Sequence, residues 1–408
     1  MAGVPPRIAL FTQQISHYHA ARYRAARTVF EDLRVFSLVN SADFREFLST
    51  DAAARDDIRM FDGQAAYLQA IRSGALWRRI HDELDAFSPG VVVVAGWSFP
   101  ESLAAISWAR SAGARAVVMS ESQLADASRS RLREGLKRRV VSACDAALVG
   151  AEPHAQYAVM LGIARDRVVL GYDAVDNDHF RVGADRARAS AASVRSERDL
   201  PARYLLASGR FMAKKNFHGL VDAFARAIAG NDTGHHLVIL GDGPERSRVL
   251  DAARGSGLEA RIHLPGFRGY DVLPDYYGLA DGFAHVATSE QWGLVVNEAA
   301  AAGLPLVVSR PTGAGALVHE GGNGFLVDPA DAADVARGLG NVMAMSPERR
   351  HEMGAESRRI VAAWGPKRFA AGLGEACGYA LQQPARKLSM ADRVLFRAMA
   401  RFWISKVT

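Results

Sequence analysis

The sequence predicts two doubly wound, Rossmann-like α/β domains in tandem. The chain has 408 residues. This length exceeds the size at which a single hydrophobic core keeps growing, so two domains are expected. Its apolar residues make up 49% of the chain, enough to fill both cores. Short β-branched runs alternate with longer amphipathic stretches, and this rhythm occurs twice. The runs are apolar throughout, which is typical of parallel strands covered by helices on both faces.

The predicted strands fall into two groups of six. In the first half they are RIALFT from Arg7, RVFSLV from Arg34, VVVVAG from Val91, RAVVMS from Arg115, AALVG from Ala146 and VVLG from Val168. In the second half they are RYLLASG from Arg203, HLVILG from His236, RIHLPG from Arg261, GFAHVA from Gly282, PLVVSR from Pro305 and GFLV from Gly324.

Composition along the chain sets the expected domain boundaries. Residues 1–180 are predicted to form the first domain and residues 203–364 the second. Residues 181–202 between them are polar, charged and rich in Ala and Ser, which indicates a linker. The helical stretch 365–383 is expected to pack back on the first domain, and residues 384–408 form a basic amphipathic tail.

Targeting signals and cysteine usage favour a cytoplasmic protein. The N-terminus, MAGVPPRIALF, lacks the pattern of a signal peptide, and no apolar run approaches the roughly 20 residues needed to cross a bilayer. Cys144 and Cys377 lie far apart without a CxxC or Cys/His cluster, so we expect reduced, structural thiols and no zinc site.

The net charge of +6 lies almost entirely in the tail. After Pro384, six basic residues stand against the single acid Asp392, so the tail accounts for +5 of the total: Arg386, Lys387, Arg393, Arg397, Arg401 and Lys406. The rest of the chain is nearly neutral. It also lacks arginine-aromatic platforms and zinc-finger spacing, so no nucleic-acid partner is predicted.

A basic segment follows the first strand of the second half. Arg210, Lys214 and Lys215 come after RYLLASG, and a helix is predicted to start near Asn216. Guanidinium, ammonium and helix N-terminal N–H groups together suit a diphosphate. A solvated basic turn is the alternative.

Two carboxylates eight positions apart follow the GFAHVA strand. Glu290 is predicted to lie in the loop, and Glu298 in the first turns of a helix that runs from Gly293 to its C-cap at Gly303. Carboxylates accept hydrogen bonds from vicinal hydroxyls, while the free N–H groups of Gly293 to Val296 suit a phosphate. The combination predicts a nucleotide-sugar site. The alternative is a pair of unrelated structural glutamates.

The motifs of the second half resemble a known family. SGRFMAKKNFHGLVDAF, GDGPE, SEQWGLVVNEAAAAGLPLVVS and GGNGFLV stand in family order from about Tyr204 to Val327. They are similar to the C-terminal domain of the retaining glycosyltransferases of sequence family four, whose signature is E-x7-E. The resemblance implies the GT-B fold, in which two domains face a cleft. It also implies retention of the anomeric configuration without a divalent metal.

The resemblance implies a role for each matching residue. Arg210 and Lys215 would hold the donor diphosphate, Glu290 would contact the sugar ring, and Glu298 would bind the ribose. The loop from Gly266 to Arg268 would touch the base. The predicted catalytic residues are thus Arg210, Lys215 and Glu290, and the predicted donor-binding residues are Gly209, Gly266, Arg268, Trp292, Gly293, Leu294, Val295 and Glu298.

The first domain departs from the family pattern. Its first strand is followed by QQISHYHAAR, without the usual glycine-rich loop. His17, His19 and Arg22 are predicted to bind an anionic or hydroxyl-rich acceptor, and a capped helix with surface imidazoles is the alternative. Many relatives carry a histidine where this chain has Glu121. Glu121 is predicted to take its place in the reacting-sugar pocket, unless it is a plain loop residue.

Two further motifs receive structural interpretations. The run from Asp176 to Asp178 has the DxD form of metal-dependent glycosyltransferases, but it lies at the predicted linker, away from the phosphate loop. No metal site is therefore predicted. GDGP at Gly241 is interpreted as a tight turn.

The tail has two interpretations. Leu388, Ala391, Leu395, Met399 and Phe402 share one helical face, flanked by Phe396 and Trp403, while the opposite face carries Arg393, Arg397 and Arg401. Such a helix suits an anionic membrane surface. It suits equally well a packing role on the first domain, with the arginines in water.

The sequence therefore predicts a retaining, metal-independent hexosyltransferase of polysaccharide biosynthesis. It would use a nucleoside diphosphate sugar, with UDP-sugar favoured, as co-substrate and a glycan or lipid-linked hydroxyl as acceptor, without another cofactor. The expected location is the cytoplasm or, through the tail, the inner face of the membrane. The alternatives are a sugar-nucleotide epimerase and a non-catalytic sugar-nucleotide-binding protein. A dehydrogenase is disfavoured because no GxGxxG follows the first strand.

Overall fold

The computed structural model describes residues 6–39, 57–126 and 130–404. These residues form two compact units. The first unit runs to Ala174 and resumes at Pro366, and the second unit is Val175–Gly365.

The elements alternate along the chain as the sequence predicts. The strands are β1 (Ile8–Thr12), β2 (Leu33–Ser37), β3 (Ile58–Arg59), β4 (Val91–Ala95), β5 (Arg115–Ser120), β6 (Ala146–Val149), β7 (Val168–Leu170), β8 (Tyr204–Ser208), β9 (His236–Leu240), β10 (Ile262–Gly266), β11 (Gly282–His285), β12 (Leu306–Ser309) and β13 (Gly324–Val327). The helices are α1 (His17–Ala26), α2 (Gln64–Ser73), α3 (Ala75–Phe87), α4 (Pro100–Ala112), α5 (Arg131–Val141), α6 (Glu152–Met160), α7 (Asn177–Ala189), α8 (Ala191–Arg198), α9 (Phe217–Gly230), α10 (Arg246–Gly255), α11 (Leu273–Leu279), α12 (Leu294–Ala302), α13 (Ala332–Met343), α14 (Pro347–Ala362), α15 (Pro366–Leu381) and α16 (Met390–Ile404).

Each unit is built on a parallel sheet, and the first strand of each unit lies in the interior of its sheet. The strand orders are β3-β2-β1-β4-β5-β6-β7 in the first unit and β10-β9-β8-β11-β12-β13 in the second, and the strand pairs are parallel. Each apolar run predicted to be a strand forms one, because it is covered on both faces; Val91, Val92, Val93 and Val94 are completely buried. The two-residue β3 was too short to detect from sequence. The predicted tandem of doubly wound domains is confirmed.

In both sheets the direction of strand progression reverses beside the first strand. The reversal lies between β1 and β4 in the first unit and between β8 and β11 in the second. Open parallel sheets bind ligands at this point, outside the carboxyl ends of the strands. The residues that follow these four strands are therefore the candidates for function.

The predicted linker is wrong. Residues 181–202 lie largely in α7 and α8, which belong to the second unit. Phe180, Ala184 and Ala187 of α7 are buried, and α7 packs against α11 so closely that a Cβ on Gly278 would lie 2.8 Å from the Ala184 carbonyl oxygen. The small residues that resembled a linker allow this close approach. The first unit accordingly ends at Ala174 rather than residue 180.

Helix α15 packs back on the first unit as predicted. Phe369, Leu373, Ala376 and Cys377 are buried in the same cluster as Leu10. Both cysteines are free and buried. Burial raises the pKa of each thiol to about 12, which fits the structural role expected for both.

Helix α16 also packs on the first unit, so the packing interpretation of the tail is confirmed. Phe396 and Ala400 are buried in its core, and the Trp403 ring lies 5.9 Å from that of Tyr67. The predicted apolar face is rotated: Phe396 is at its centre, whereas Phe402 is 75% exposed. Helix α16 contacts α2 and α4 of the first unit. Lys406 lies outside the described residues.

Among the described helices, none combines the length and hydropathy that a bilayer span requires.

Alanine substitutions at two phenylalanines of α16 test the observed face. Phe396→Ala should lower the free energy of unfolding of the first unit by about 3–5 kcal/mol, because it removes a fully buried ring. Phe402→Ala, the matched control on the exposed face, should change it by less than about 0.5 kcal/mol. Urea unfolding followed by circular dichroism measures both. Equal losses would place the packing face elsewhere.

Candidate functional site

The candidate site of the second unit lies at the reversal between β8 and β11. The loop after β8 carries Gly209 and Arg210 and ends in a short 3-10 helix, Ala213–Lys215. Asn216 then adopts a left-handed φ of 56° and begins α9. Its side chain donates hydrogen bonds to the carbonyls of Val286, at 3.4 Å, and Pro329, at 3.2 Å. The loop after β8 is thereby tied to the loop after β11.

A second tie joins the same two loops. The backbone N–H of Thr288 donates to the Lys214 carbonyl at 2.8 Å, and the Thr288 hydroxyl lies 3.3 Å from the same oxygen. These bonds bring the basic segment beside the first of the two glutamates.

The GDGP loop supports the basic segment from the other side. The Phe211 N–H donates to the Asp242 carbonyl at 2.8 Å. A Cβ on Gly241 would lie 2.0 Å from the Gly209 carbonyl oxygen, and one on Gly243 would lie 2.6 Å from the Phe211 carbonyl oxygen. Since neither contact is sterically tolerable, both positions need glycine. The loop is more than a tight turn: it holds the backbone that carries Arg210.

Lys215 and Glu290 form an ion pair at the centre of the site. The Lys215 ammonium contacts Glu290 Oε2, and the two side chains are 14% and 12% exposed. Lys214 lies 3.9 Å from the other carboxylate oxygen. The Glu290 backbone is fixed as well, because its carbonyl accepts from the Gly313 N–H at 3.1 Å. Arg210 lies exposed at the rim of the same loop.

Helix α12 begins beside this ion pair. Gly293 precedes its first residues, Leu294 and Val295, with a φ of 100°. A Cβ on Gly293 would lie 3.2 Å from Thr312 Cγ2 and 3.4 Å from Glu290 Cγ, so glycine keeps this space open. The first N–H groups of a helix lack intrahelical partners and carry a partial positive charge. The site thus combines a helix N-terminus with lysines, as an anionic ligand requires. The predicted helix with Gly303 as its C-cap is confirmed.

Glu298 lies on the second turn of α12 and is only 1% exposed. Its Oε2 accepts a hydrogen bond from the Tyr277 hydroxyl at 2.6 Å. Tyr277 lies on α11 and was not singled out from the sequence. It fixes the carboxylate orientation, since the ring itself is fully buried.

The remaining donor-site candidates make hydrogen bonds and ring contacts within the protein. The Trp292 indole is buried, donates to Asn297 Oδ1 at 2.8 Å and packs against Trp364, so the side chain has a structural role. Gly266 ends β10, and its carbonyl accepts from the Gly241 N–H at 3.0 Å. Arg268 donates to the Tyr276 hydroxyl at 2.7 Å.

His285 is part of the site and was overlooked in the sequence. It is the last residue of β11 and is 3% exposed. Its Nε2 lies 3.9 Å from Glu290 Oε2 and 3.4 Å from the position of a Cβ on Gly293. Burial, followed by the positive charges of Lys215 and Lys214, holds the pKa of His285 well below its ordinary value. The imidazole is therefore neutral.

In the first unit, the α1 candidates are more structural than predicted. His19 caps its own helix, because its Nδ1 accepts from the Ser16 N–H at 3.2 Å. Burial and the charge of Arg22 lower the pKa of His19 to about 3. Arg22 is 1% exposed and donates to the Ala174 carbonyl at 2.8 Å. His17 is the first residue of α1 and is half-buried.

Asp173 interacts electrostatically with both Glu121 and Arg22. Asp173 is completely buried, and its Oδ1 lies 4.0 Å from Arg22 Nη2. Burial, and then the negative charge of Glu121, raise the pKa of Asp173 well above its ordinary value. Glu121 follows β5 and Asp173 follows β7, so no local motif indicated that the two carboxyl groups interact.

The reversal between β1 and β4 holds another buried carboxyl group. The Tyr67 hydroxyl donates to Glu101 Oε2 at 2.6 Å, and the Gln13 amide contacts Oε1. Burial raises the pKa of Glu101 to about 7. Its hydrogen bonds are satisfied within the protein, which favours a structural role.

The DxD run belongs to a helix start. Asp176 caps α7 by accepting from the His179 N–H at 3.1 Å. Across the described residues, no group of three or more His, Cys, Asp or Glu side chains is arranged to hold a metal ion.

Comparison with known proteins shows what this part of the chain is similar to. The sequence model of the family Glycosyl transferases group 1 matches residues 191–360, which span the whole site. The chain is 32% identical over 188 residues to the lipopolysaccharide core biosynthesis glycosyltransferase LpsE of Rhizobium meliloti, covering 44% of this chain and 51% of that protein. The chain spans about half the length of such curated relatives.

Solved structures extend the likeness to both units. A glycosyltransferase from Rickettsia africae superposes with a TM-score of 0.72 at 14% identity, over 92% of this chain and 99% of that one. HepE from Anabaena, solved with UDP, gives a TM-score of 0.68 at 16% identity, over 90% of this chain and 98% of that one. The GT-B fold predicted from the motifs is thereby confirmed.

Proposed function

We propose that the protein transfers a hexose from a nucleoside diphosphate sugar to a hydroxyl acceptor. The observation that carries this proposal is the Lys215–Glu290 ion pair beside the N-terminus of α12. Cations and helix N–H groups are the partners of a diphosphate, and carboxylates are the partners of sugar and ribose hydroxyls. The match of the group 1 family model to the residues around them supports the same class of reaction.

UDP-sugar is the proposed donor. HepE, which shares the fold, was solved with UDP-glucose. In this chain Lys215 and Arg210 would hold the diphosphate, and Glu298 would accept from the ribose hydroxyls. Arg268 lies on the loop after β10, where we place the base. No other cofactor enters the proposal.

Charge stabilisation supplies the proposed rate enhancement. As the bond between the sugar and the diphosphate breaks, Arg210, Lys215 and the N-terminus of α12 neutralise the leaving group. Glu290 would contact the sugar ring or stabilise positive charge at the anomeric carbon of the sugar. The acceptor oxygen would attack from the leaving-group face and pass its proton to a phosphate oxygen, which retains the anomeric configuration.

The proposed acceptor is a glycan or a lipid-linked hydroxyl. LpsE, by its name, acts in lipopolysaccharide core biosynthesis, which supports an acceptor of this class. Glu121 and Asp173 are the acceptor-side candidates in the first unit, because Glu121 remains half-buried at the carboxyl end of β5. Arg393, Arg401 and Phe402 of α16 are exposed, and we propose that these side chains contact an anionic membrane surface from the cytoplasm.

Conservative substitutions of the two glutamates test the donor site. Glu298→Gln should weaken UDP binding about tenfold to a hundredfold, because charged hydrogen bonds are each worth roughly 1.5–3 kcal/mol. Glu290→Gln should leave UDP affinity nearly unchanged and lower the release of UDP from UDP-glucose, since its partner is the sugar. Calorimetry with UDP and initial rates with UDP-glucose separate the two effects.

Several results of these measurements would count against the proposal. Equal losses of UDP affinity would mean that the roles are exchanged or shared. No UDP binding by the wild type would exclude the UDP-sugar donor. UDP binding without any turnover of UDP-glucose would favour a sugar-nucleotide-binding protein, and conversion of UDP-glucose to an epimer would favour an epimerase.

Chelation tests the proposed metal independence. Turnover of UDP-glucose should persist in excess EDTA, because basic groups and a helix N-terminus already neutralise the diphosphate. Loss of turnover that magnesium or manganese restores would contradict this.

A further inference from the structure

The buried imidazole of His285 has an unsatisfied nitrogen in the donor site. Its Nε2 meets no hydrogen-bond partner among the described residues. A buried polar atom without a partner is destabilising, so its retention at the centre of a binding site indicates a partner in another state. Nε2 lies 3.9 Å from Glu290 Oε2, just beyond hydrogen-bond distance.

The side chains of Lys215 and His285 approach the same oxygen atom. Lys215 contacts Glu290 Oε2, and His285 Nε2 approaches that oxygen as well. Both side chains are positioned by rigid elements, since His285 ends β11 and Lys215 ends the 3-10 helix before α9. While Lys215 contacts Oε2, His285 Nε2 stays beyond hydrogen-bond distance of that oxygen.

A bound diphosphate would change this arrangement. Lys215 is the cation that the proposed function assigns to the diphosphate, so donor binding draws its ammonium away from Glu290. Oε2 then loses its contact with the ammonium while the side chain remains only 12% exposed. A neutral imidazole with hydrogen on Nε2 can donate one hydrogen bond without adding charge.

We propose that His285 is a positioning residue that takes over Glu290 Oε2 when Lys215 moves to the donor diphosphate. This inference rests on the proposed function. His285 Nε2–H donates to Oε2 in the donor complex and keeps the carboxylate directed at the sugar. No bond is made or broken, and no proton is transferred.

The first experiment needs no ligand. Lys215→Met removes the competing ammonium and so imitates its departure. In this background His285→Leu should lower the melting midpoint by roughly 2–4 °C more than it does in the wild type, since it now removes a hydrogen bond as well as a ring. The extra loss should vanish when Glu290→Leu is also present, because leucine has no acceptor for the imidazole N–H. An equal effect of His285→Leu in all three backgrounds would overturn the inference.

The second experiment uses UDP and UDP-glucose. His285→Leu should leave UDP affinity unchanged by calorimetry and lower kcat for UDP release about tenfold. His285→Gln should retain most of this rate, because its amide nitrogen can occupy the position of Nε2. In Glu290→Gln, adding His285→Leu should cost little further, since the carboxylate that His285 positions is gone.

The outcomes separate the inference from the function on which it rests. Equal rate losses in His285→Leu and His285→Gln, or a loss of UDP affinity in His285→Leu, would contradict the positioning role. The proposed function would be contradicted if the wild-type protein neither binds UDP nor turns over UDP-glucose. The melting measurements would then still decide whether His285 takes over Glu290.

Discussion

The Lys215–Glu290 ion pair is the interaction on which the candidate site depends. It joins the loop after β8 to the loop after β11, at the reversal of the sheet where an open α/β fold binds its ligands. Both partners are mostly buried, and each is needed to compensate the charge of the other. The backbone therefore has to hold the loops at a fixed separation. Asn216 and Thr288 do so through hydrogen bonds that cross between the loops.

The same pair explains how one site can accept a ligand that carries both anionic phosphates and hydroxyl groups. Without ligand, the ammonium and the carboxylate satisfy each other. Under the proposed function, a nucleotide sugar would bring a diphosphate for Lys215 and hydroxyls for Glu290, and so would replace one ion pair by two sets of contacts. Gly293 leaves the space for this exchange, because a side chain there would approach both Glu290 and His285. In that case the free energy of breaking the Lys215–Glu290 pair would reduce the affinity for the ligand.

Most of the strands and part of the site follow from local sequence. Parallel strands are read from continuous apolar runs, and α12 is read from the glycines at its two ends, because each of these signals lies within a few residues. The tail was ambiguous because Phe396 and Phe402 sit on adjacent faces of one helix, and only packing decides which is covered. The linker was misjudged because small residues that allow α7 to approach α11 have the composition of a flexible segment. His285 was hidden inside a strand pattern, and Asp173 is distant in sequence from Glu121, so tertiary structure alone brings each to its partner.

The most direct measurement is a crystal structure of the protein with UDP. The account predicts that the Lys215 ammonium lies about 3 Å from a diphosphate oxygen and has left Glu290, with the ribose hydroxyls beside Glu298. UDP bound elsewhere in the chain, or bound beside α12 with the Lys215–Glu290 pair intact, would contradict it.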